Sequence, residues 1–415
     1  DEDTLAEVAL AQTYELVSKW MDQMYSENPL RSKLALFWSN HFVTRVDDYG
    51  CPSYMYQYFA VLEKYSLGNF KEFTKQIGTT PAMLMFLNGV QNTKFDPNEN
   101  YGRELLELFT LGRDNGYTQS DITEVSRTLT GWNGVSEVCA AIDFSEFFFD
   151  EGEKTIFGRT GNWNYNDLHD ILFEERADEV ATFICGKLYE YFVSNDPAEE
   201  IINELATIFK ANNFELAPVV KALLSSEHFF DDFVIGNKVK APFELFVGLV
   251  KSSTLPVGQY FLPVEGYNQL NINAYFLAAE IGQALFNPVD VAGWQGDKIW
   301  VNNNTLTGRW QYSDAITGLL VSEHTNNALE FVRQLAEGNI NDADYIVRNI
   351  INHFIPNGLQ TEDDYKRATT IFKIEIPENY FEDGSWSLNW DDEVVIFQIF
   401  SLLRHIVRLP EFQLF

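Results

Sequence analysis

Four stretches of this chain start a helix by the same chemistry. "ENPLRSKLALFWSNHF" offers Asn28 as N-cap and Pro29 at the first helical position, then Leu30, Leu34, Trp38 and His41 on one stripe. "TTPAMLMFLNG" repeats the device with Thr80 and Pro81 and places Gly89 where a helix stops. "TQSDITEVSRTLTGW" sets Thr118 three residues before Asp121, close to a capping box. "NDPAEEIINELATIFK" has Asp196 ahead of Pro197 and then acids in the first turn, where the helix dipole favours them. Each device answers the same need, since the first turn of a helix leaves its backbone N–H groups without carbonyl partners. A chain punctuated this way is expected to be mainly α, a compact, non-repeating multi-helix array of about 15 helices with long irregular loops.

The loops are expected where the 3.6 periodicity fails. Residues 133–165 are rich in aromatics and read as a loop with a short hairpin; 252–267 and 286–309 are two more irregular zones. Loops of this length on a helical scaffold are candidate sites. No repeat of 20 to 50 residues is evident, which disfavours a solenoid. At 415 residues the chain exceeds the usual single domain. A soft division near 250 is expected, with a helical part over 1–250 and a second over 251–415 closely packed on it.

Composition then restricts partners. With 61 acidic against 29 basic side chains the formal charge is -32, so phosphate polymers are repelled and nucleic acid is not an expected partner. The excess suits solubility, a salty medium or cation binding. Cys51, Cys139 and Cys185 are far apart and form no CxxC, which removes a thiolate zinc site and leaves room for one disulfide. No run approaches the ~20 apolar residues of a membrane span. The chain opens with Asp, as a mature or trimmed product would, compatible with a lost export signal.

The stretch "NENYGRELLELFTLG" (98–112), followed by "GYTQSDITEVSRTLTGW", resembles the bacterial family known as domain of unknown function 1800. "LALFWSNHF", "TPAMLMFLNG", "KVKAPFELFVGLV", "GQALFNPVDVAGWQGDKIWVNNNTLTGR" and the terminal "RLPEFQLF" match in the family's order, from about residue 29 to 415. The resemblance implies a large helical protein, often exported, so secreted or periplasmic, and commonly encoded beside a sulfatase-like or phosphatase-like exported protein. It implies no established activity. Residues 1–28 do not carry the family's usual N-terminal segment. In "FDEGEK", Phe149 stands where relatives tend to have histidine.

Several constellations are candidates for chemistry. In the 98–112 stretch Glu99, Arg103 and Glu107 stand at i, i+4, i+8 as a charge ladder, beside a buried stripe of Tyr101, Leu105, Leu108 and Phe109. With Leu106 on the opposite side, little face is left for solvent, so Arg103 is expected to be a buried keystone beside Glu104. Asp96, Asn98, Asn100 and Glu107 imitate positions of a calcium loop, but Tyr101 replaces its glycine. If an ion is bound, these hard oxygens favour calcium over zinc. His41 is the foremost functional histidine, although a lone histidine on an apolar stripe is more often a core residue. "DEGEK" offers Asp150 and Lys154, either as a solvated turn or as groups for proton transfer or metal binding. Trp294, Trp300 and Asn302, with Trp132 and Arg309, pair flat aromatics with polar groups as a sugar-binding surface does. HExxH, G-x-S-x-G and phosphate-loop motifs are absent from the sequence.

Two function classes stay open. One is an exported protein that binds, or assists processing of, an extracellular polysaccharide-like polymer with a hydrolase partner. The other is an enzyme in its own right, with or without a metal, with His41, Glu99, Arg103, Glu104 and Arg127 around a polar pocket that Asp150 and Lys154 close. They are separated by whether these groups converge on a common atom.

Overall fold

The computed structural model describes residues 2–26, 28–134, 139–254 and 269–415. Among these, twenty α-helices and one two-stranded sheet make a mainly α, non-repeating fold. Most of the irregular zone expected over 252–267 lies outside the described residues.

The start signals act largely as their chemistry dictates. Thr80 Oγ1 accepts the Met83 N–H ahead of the Pro81–Phe86 helix. Thr118 and Asp121 form the full reciprocal box, Thr118 N–H to Asp121 Oδ2 at 2.9 Å and Asp121 N–H to Thr118 Oγ1 at 3.2 Å. Three boundaries differ. The helix Leu30–His41 is preceded by Pro29 as its N-cap, with no side-chain cap from Asn28. Glu199–Ala211 begins after Ala198, so Asp196 does not cap it. The left-handed residue after Pro81–Phe86 is Asn88, at φ 60, and Gly89 instead opens a short 3-10 turn. Asparagine tolerates that conformation better than most residues.

The hairpin in the 133–165 loop joins Lys154–Ile156 to Arg159–Gly161, antiparallel, with Thr155 opposite Thr160. The 286–309 zone is shorter than expected as a loop, because Asp297–Trp300 forms a 3-10 turn and the helix Asn303–Glu323 begins inside it.

The chain forms two compact units, each assembled from separate segments. One comprises Asp1–Leu16, Glu27–Phe229 and Leu285–Trp294; the other Val17–Ser26, Phe230–Ala284 and Gln295–Phe415. The core of the first is aromatic. Trp38, Phe42, Phe70, Phe73 and Phe109 are all nearly sealed from solvent, with successive ring centroids 4.9 to 6.0 Å apart. Each such side chain contributes about 1.5 to 3 kcal/mol by burial. In the second unit the helix Asp392–Ile406 packs on Glu362–Phe372, Asn303–Glu323 and Thr325–Leu335. Trp386 is sealed there and donates its indole N–H to Gln398 at 3.0 Å.

Candidate functional site

The charged 98–112 segment begins with side chains spent on its own backbone. Asn98 Oδ1 accepts the Asn100 N–H at 2.9 Å; buried Asn92 accepts the Asn98 N–H at 2.9 Å and donates to Ser126 O at 2.8 Å. The α-helix Asn100–Glu104 then widens into a π-helix over Leu105–Thr110, closed by Leu111 N–H on Leu106 O at 2.9 Å. A π turn adds a residue to the helical repeat, so the buried pairs recur every four residues: Tyr101 and Gly102, Leu105 and Leu106, Phe109 and Thr110. Leu108, expected in the buried stripe, is only half-buried.

The charge ladder breaks after its first rung. Arg103 reaches Glu99 at 3.0 Å, whereas Glu107 pairs with Arg113 at 2.7 Å. Glu99 also accepts Thr123 Oγ1 at 2.8 Å and Gln119 Nε2 at 2.8 Å. The Thr123 bond foremost, then Gln119 and Arg103, outweigh partial burial and hold its pKa below the usual carboxylate range. The buried keystone expected at Arg103 is not what forms. Its side chain is 38% exposed and bonds to Glu99 and Gln119, since Arg103 and Glu104 lie on the face between the buried pairs Tyr101–Gly102 and Leu105–Leu106. Glu104 is half-buried, and burial together with the Glu107 charge raises its pKa against the pull of Arg103 and Arg113.

Arg127 organises a second, separate cluster. Its guanidinium forks onto Asp150, Nε to Oδ2 at 2.8 Å and Nη2 to Oδ1 at 3.2 Å, and Nη1 reaches Glu124 at 2.8 Å. Burial works to raise the Asp150 pKa, but the Arg127 fork and the Gly152 N–H outweigh it and the net shift is downward. Lys154 is sealed, with Nζ donating to the carbonyls of Asp150, Gly152 and Trp163 at 2.5 to 3.2 Å. All three donors of the ammonium are thereby used, so the "DEGEK" turn is fastened through Asp150 and Lys154 while Glu151, Gly152 and Glu153 remain exposed to solvent. Phe149 packs its ring 5.1 Å from Lys154 Nζ.

His41 belongs to neither cluster. It is buried, its Nε2 lies 3.0 Å from Phe109 O, and the rings of Phe37, Trp38, Phe42, Phe70 and Phe183 surround it at 4.6 to 6.4 Å. Burial pulls its pKa down to about 3, the Phe109 bond opposing and the Lys187 charge assisting.

The residues suggested for a calcium loop are engaged otherwise. Asp96 is exposed in a turn closed on Thr93, Asn98 and Asn100 bond to each other at the helix start, and Glu107 is held by Arg113. Among the described residues no three His, Cys, Asp or Glu side chains are grouped to hold an ion.

The indoles of the expected aromatic and amide platform turn inward, while Asn302 stays exposed. Trp294 is 9% and Trp300 6% exposed. Trp294 is fastened by Asn40, which accepts its N–H at 2.6 Å and donates to its carbonyl at 2.9 Å. Asn302 caps the Asn303–Glu323 helix through Asn304 and Thr305 N–H groups. Arg309 is sealed, bonded to Gln413 Oε1 at 2.8 Å and Lys240 O at 2.7 Å, and burial lowers its pKa to about 10. These side chains are therefore packing and capping groups, not a solvent-facing sugar platform. Trp132 is half-buried against Phe144 and Tyr165.

A groove that the sequence did not signal lies between the helices Ala177–Phe192 and Glu199–Ala211. It encloses about 610 Å³ and is lined by Phe183, Lys187, Tyr189, Ser194, Asn195 and Asn203 among others. Phe183 links it to the core, its ring 6.2 Å from His41 on one side and 6.0 Å from Lys187 Nζ on the other. The Asp196-Pro197 turn that shapes one end was legible only as a helix start.

No curated protein and no solved structure matches the chain. The sequence model of the family described as "Protein of unknown function (DUF1800)" matches residues 4–414; it takes in the quoted motifs and extends over most of residues 1–28, where no family segment was expected, and the chain belongs to that family.

Proposed function

We propose that this protein is an exported binding component that holds a polysaccharide-like polymer and assists its processing alongside a hydrolase-type partner. The observation that carries the binding class is that each candidate group is already engaged with partners of its own. His41 is spent on Phe109 O, Glu99 and Arg103 on each other and on Gln119 and Thr123, and Arg127, Asp150 and Lys154 on one knot. An enzyme site of the alternative kind requires these groups around one reacting atom.

The groove between Ala177–Phe192 and Glu199–Ala211 supplies what a polyhydroxylated ligand needs, amides and hydroxyls beside ring faces. The Cys51–Cys139 disulfide supports export, since such bonds persist in oxidising compartments. The hydrolase-type partner rests on the family resemblance alone.

Affinity electrophoresis against neutral and sulfated polysaccharides tests the proposal. Retardation by at least one polymer, reduced by Asn195→Ala with Asn203→Ala, is expected. Retardation by none, or retardation untouched by the paired substitution, overturns the groove as contact surface.

A further inference from the structure

We infer that Phe95 and Phe147 form a docking surface for a cationic, apolar segment of a partner polypeptide. These two rings are the most exposed aromatics of their unit after none but each other, at 66% and 65%, and their centroids lie 5.6 Å apart. They come from different loops that the backbone joins, with Lys94 N–H on Phe148 O at 2.8 Å, while Asp96 N–H on Thr93 Oγ1 at 3.1 Å closes the first loop on itself. Exposing two adjacent large rings on preset loops exacts a solvation cost that a partner's contact removes.

Charge selects the partner. Lys94 Nζ stands 5.3 Å from the centre of one ring and 5.5 Å from the other, so the pair already accepts an ammonium. Asp96 and Glu146, each next in sequence to one ring, and Asp143 nearby are exposed, and no salt bridge among the described residues neutralises them. A ring pair that takes a cation, flanked by free carboxylates on a chain of formal charge -32, repels anionic lipid and anionic polymer. It complements lysine or arginine interleaved with apolar side chains, Lys94 marking the place that an incoming cation takes. This surface is independent of the polymer-binding groove proposed above.

The probe is a fluorescently labelled 12-residue peptide of alternating arginine and leucine, titrated with the full chain and followed by anisotropy. Phe95→Ala with Phe147→Ala leaves the charge unchanged and is expected to weaken binding at least about tenfold, a loss within the range of two cation–π contacts. Lys94→Ala is expected to strengthen binding several-fold beyond Lys221→Ala, which makes an equal charge change elsewhere; this arm remains decisive should the paired variant fail to fold. Affinity unmoved by either substitution means that net charge alone attracts the peptide and overturns the proposal. So does a wild-type dimer that becomes monomeric in the paired variant, which makes a second copy the occupant, or binding to phosphatidylcholine vesicles that the variant loses.

Discussion

His41 donates from Nε2 to the carbonyl of Phe109 at 3.0 Å, tying the Leu30–His41 helix to the end of the π turn. A carbonyl only accepts, so Nε2 carries a proton, and burial keeps the ring neutral. The most suggestive histidine of the sequence thus works as a buried strut.

Its titration predicts an acid-sensitive fold. The folded pKa is about 3 against about 6.5 unfolded. Between those values the unfolded state binds a proton that the folded state refuses, so stability falls as pH drops from about 6.5 toward 3. Buried His169, lowered to about 4 by desolvation, has the same sign. Each should cost about 2 kcal/mol between pH 7.5 and pH 5. Urea unfolding at the two pH values measures the loss, and His41→Gln should shrink it by about half; an unchanged pH slope in that variant would refute the assignment.

Arg103 and Arg127 should respond unequally to conservative change. Arg103 is partly exposed and Glu99 keeps two other donors, so Arg103→Lys should shift stability by less than about 1 kcal/mol.

Arg127 is more enclosed and forks onto Asp150 while holding Glu124. Lysine cannot reproduce the fork, and Arg127→Lys should cost about 1 to 3 kcal/mol, below the fully buried case because a quarter of the side chain meets solvent. Thermal melts of both lysine variants rank them; equal melting points would contradict this difference.

Gly102 lets the Asn100–Glu104 helix lie against Gln119–Thr128. An added Cβ would stand 2.3 Å from Ser126 Oγ and 3.1 Å from Ser126 N. The backbone atom cannot swing away, so Gly102→Ala should destabilise by about 1 to 3 kcal/mol despite its better helix propensity. Calorimetry showing a stabilised variant would mean that the two helices part easily.

The Cys51–Cys139 disulfide spans 88 residues, a loop whose closure should contribute about 4 to 5 kcal/mol through the unfolded chain. Cys51→Ala with Cys139→Ala should lower the melting temperature by several degrees. Cys185 is buried and burial pushes its thiol up to about 12, so native protein should show no fast-reacting thiol until denatured.

What the sequence determined by itself was local. Thr118 with Asp121, Thr80 with Pro81 and the apolar stripes act over three to seven residues, and a cap forms wherever its own neighbours allow. The helical class followed from such signals, and a short hairpin was legible within 133–165, where the helical periodicity fails, without its position or register. The tertiary structure decided which polar groups face one another. Nothing local says that Glu107 turns to Arg113, that Trp294 is clasped by Asn40, or that Cys51 joins Cys139 rather than Cys185. The π turn at Leu105–Thr110 is the clearest case: regular spacing implies an α-helical ladder there, whereas the segment widens and Glu107 pairs with Arg113 instead of Arg103. Caps and stripes are decided by neighbours along the chain, whereas burial and charge pairing depend on atoms that only long-range folding brings near.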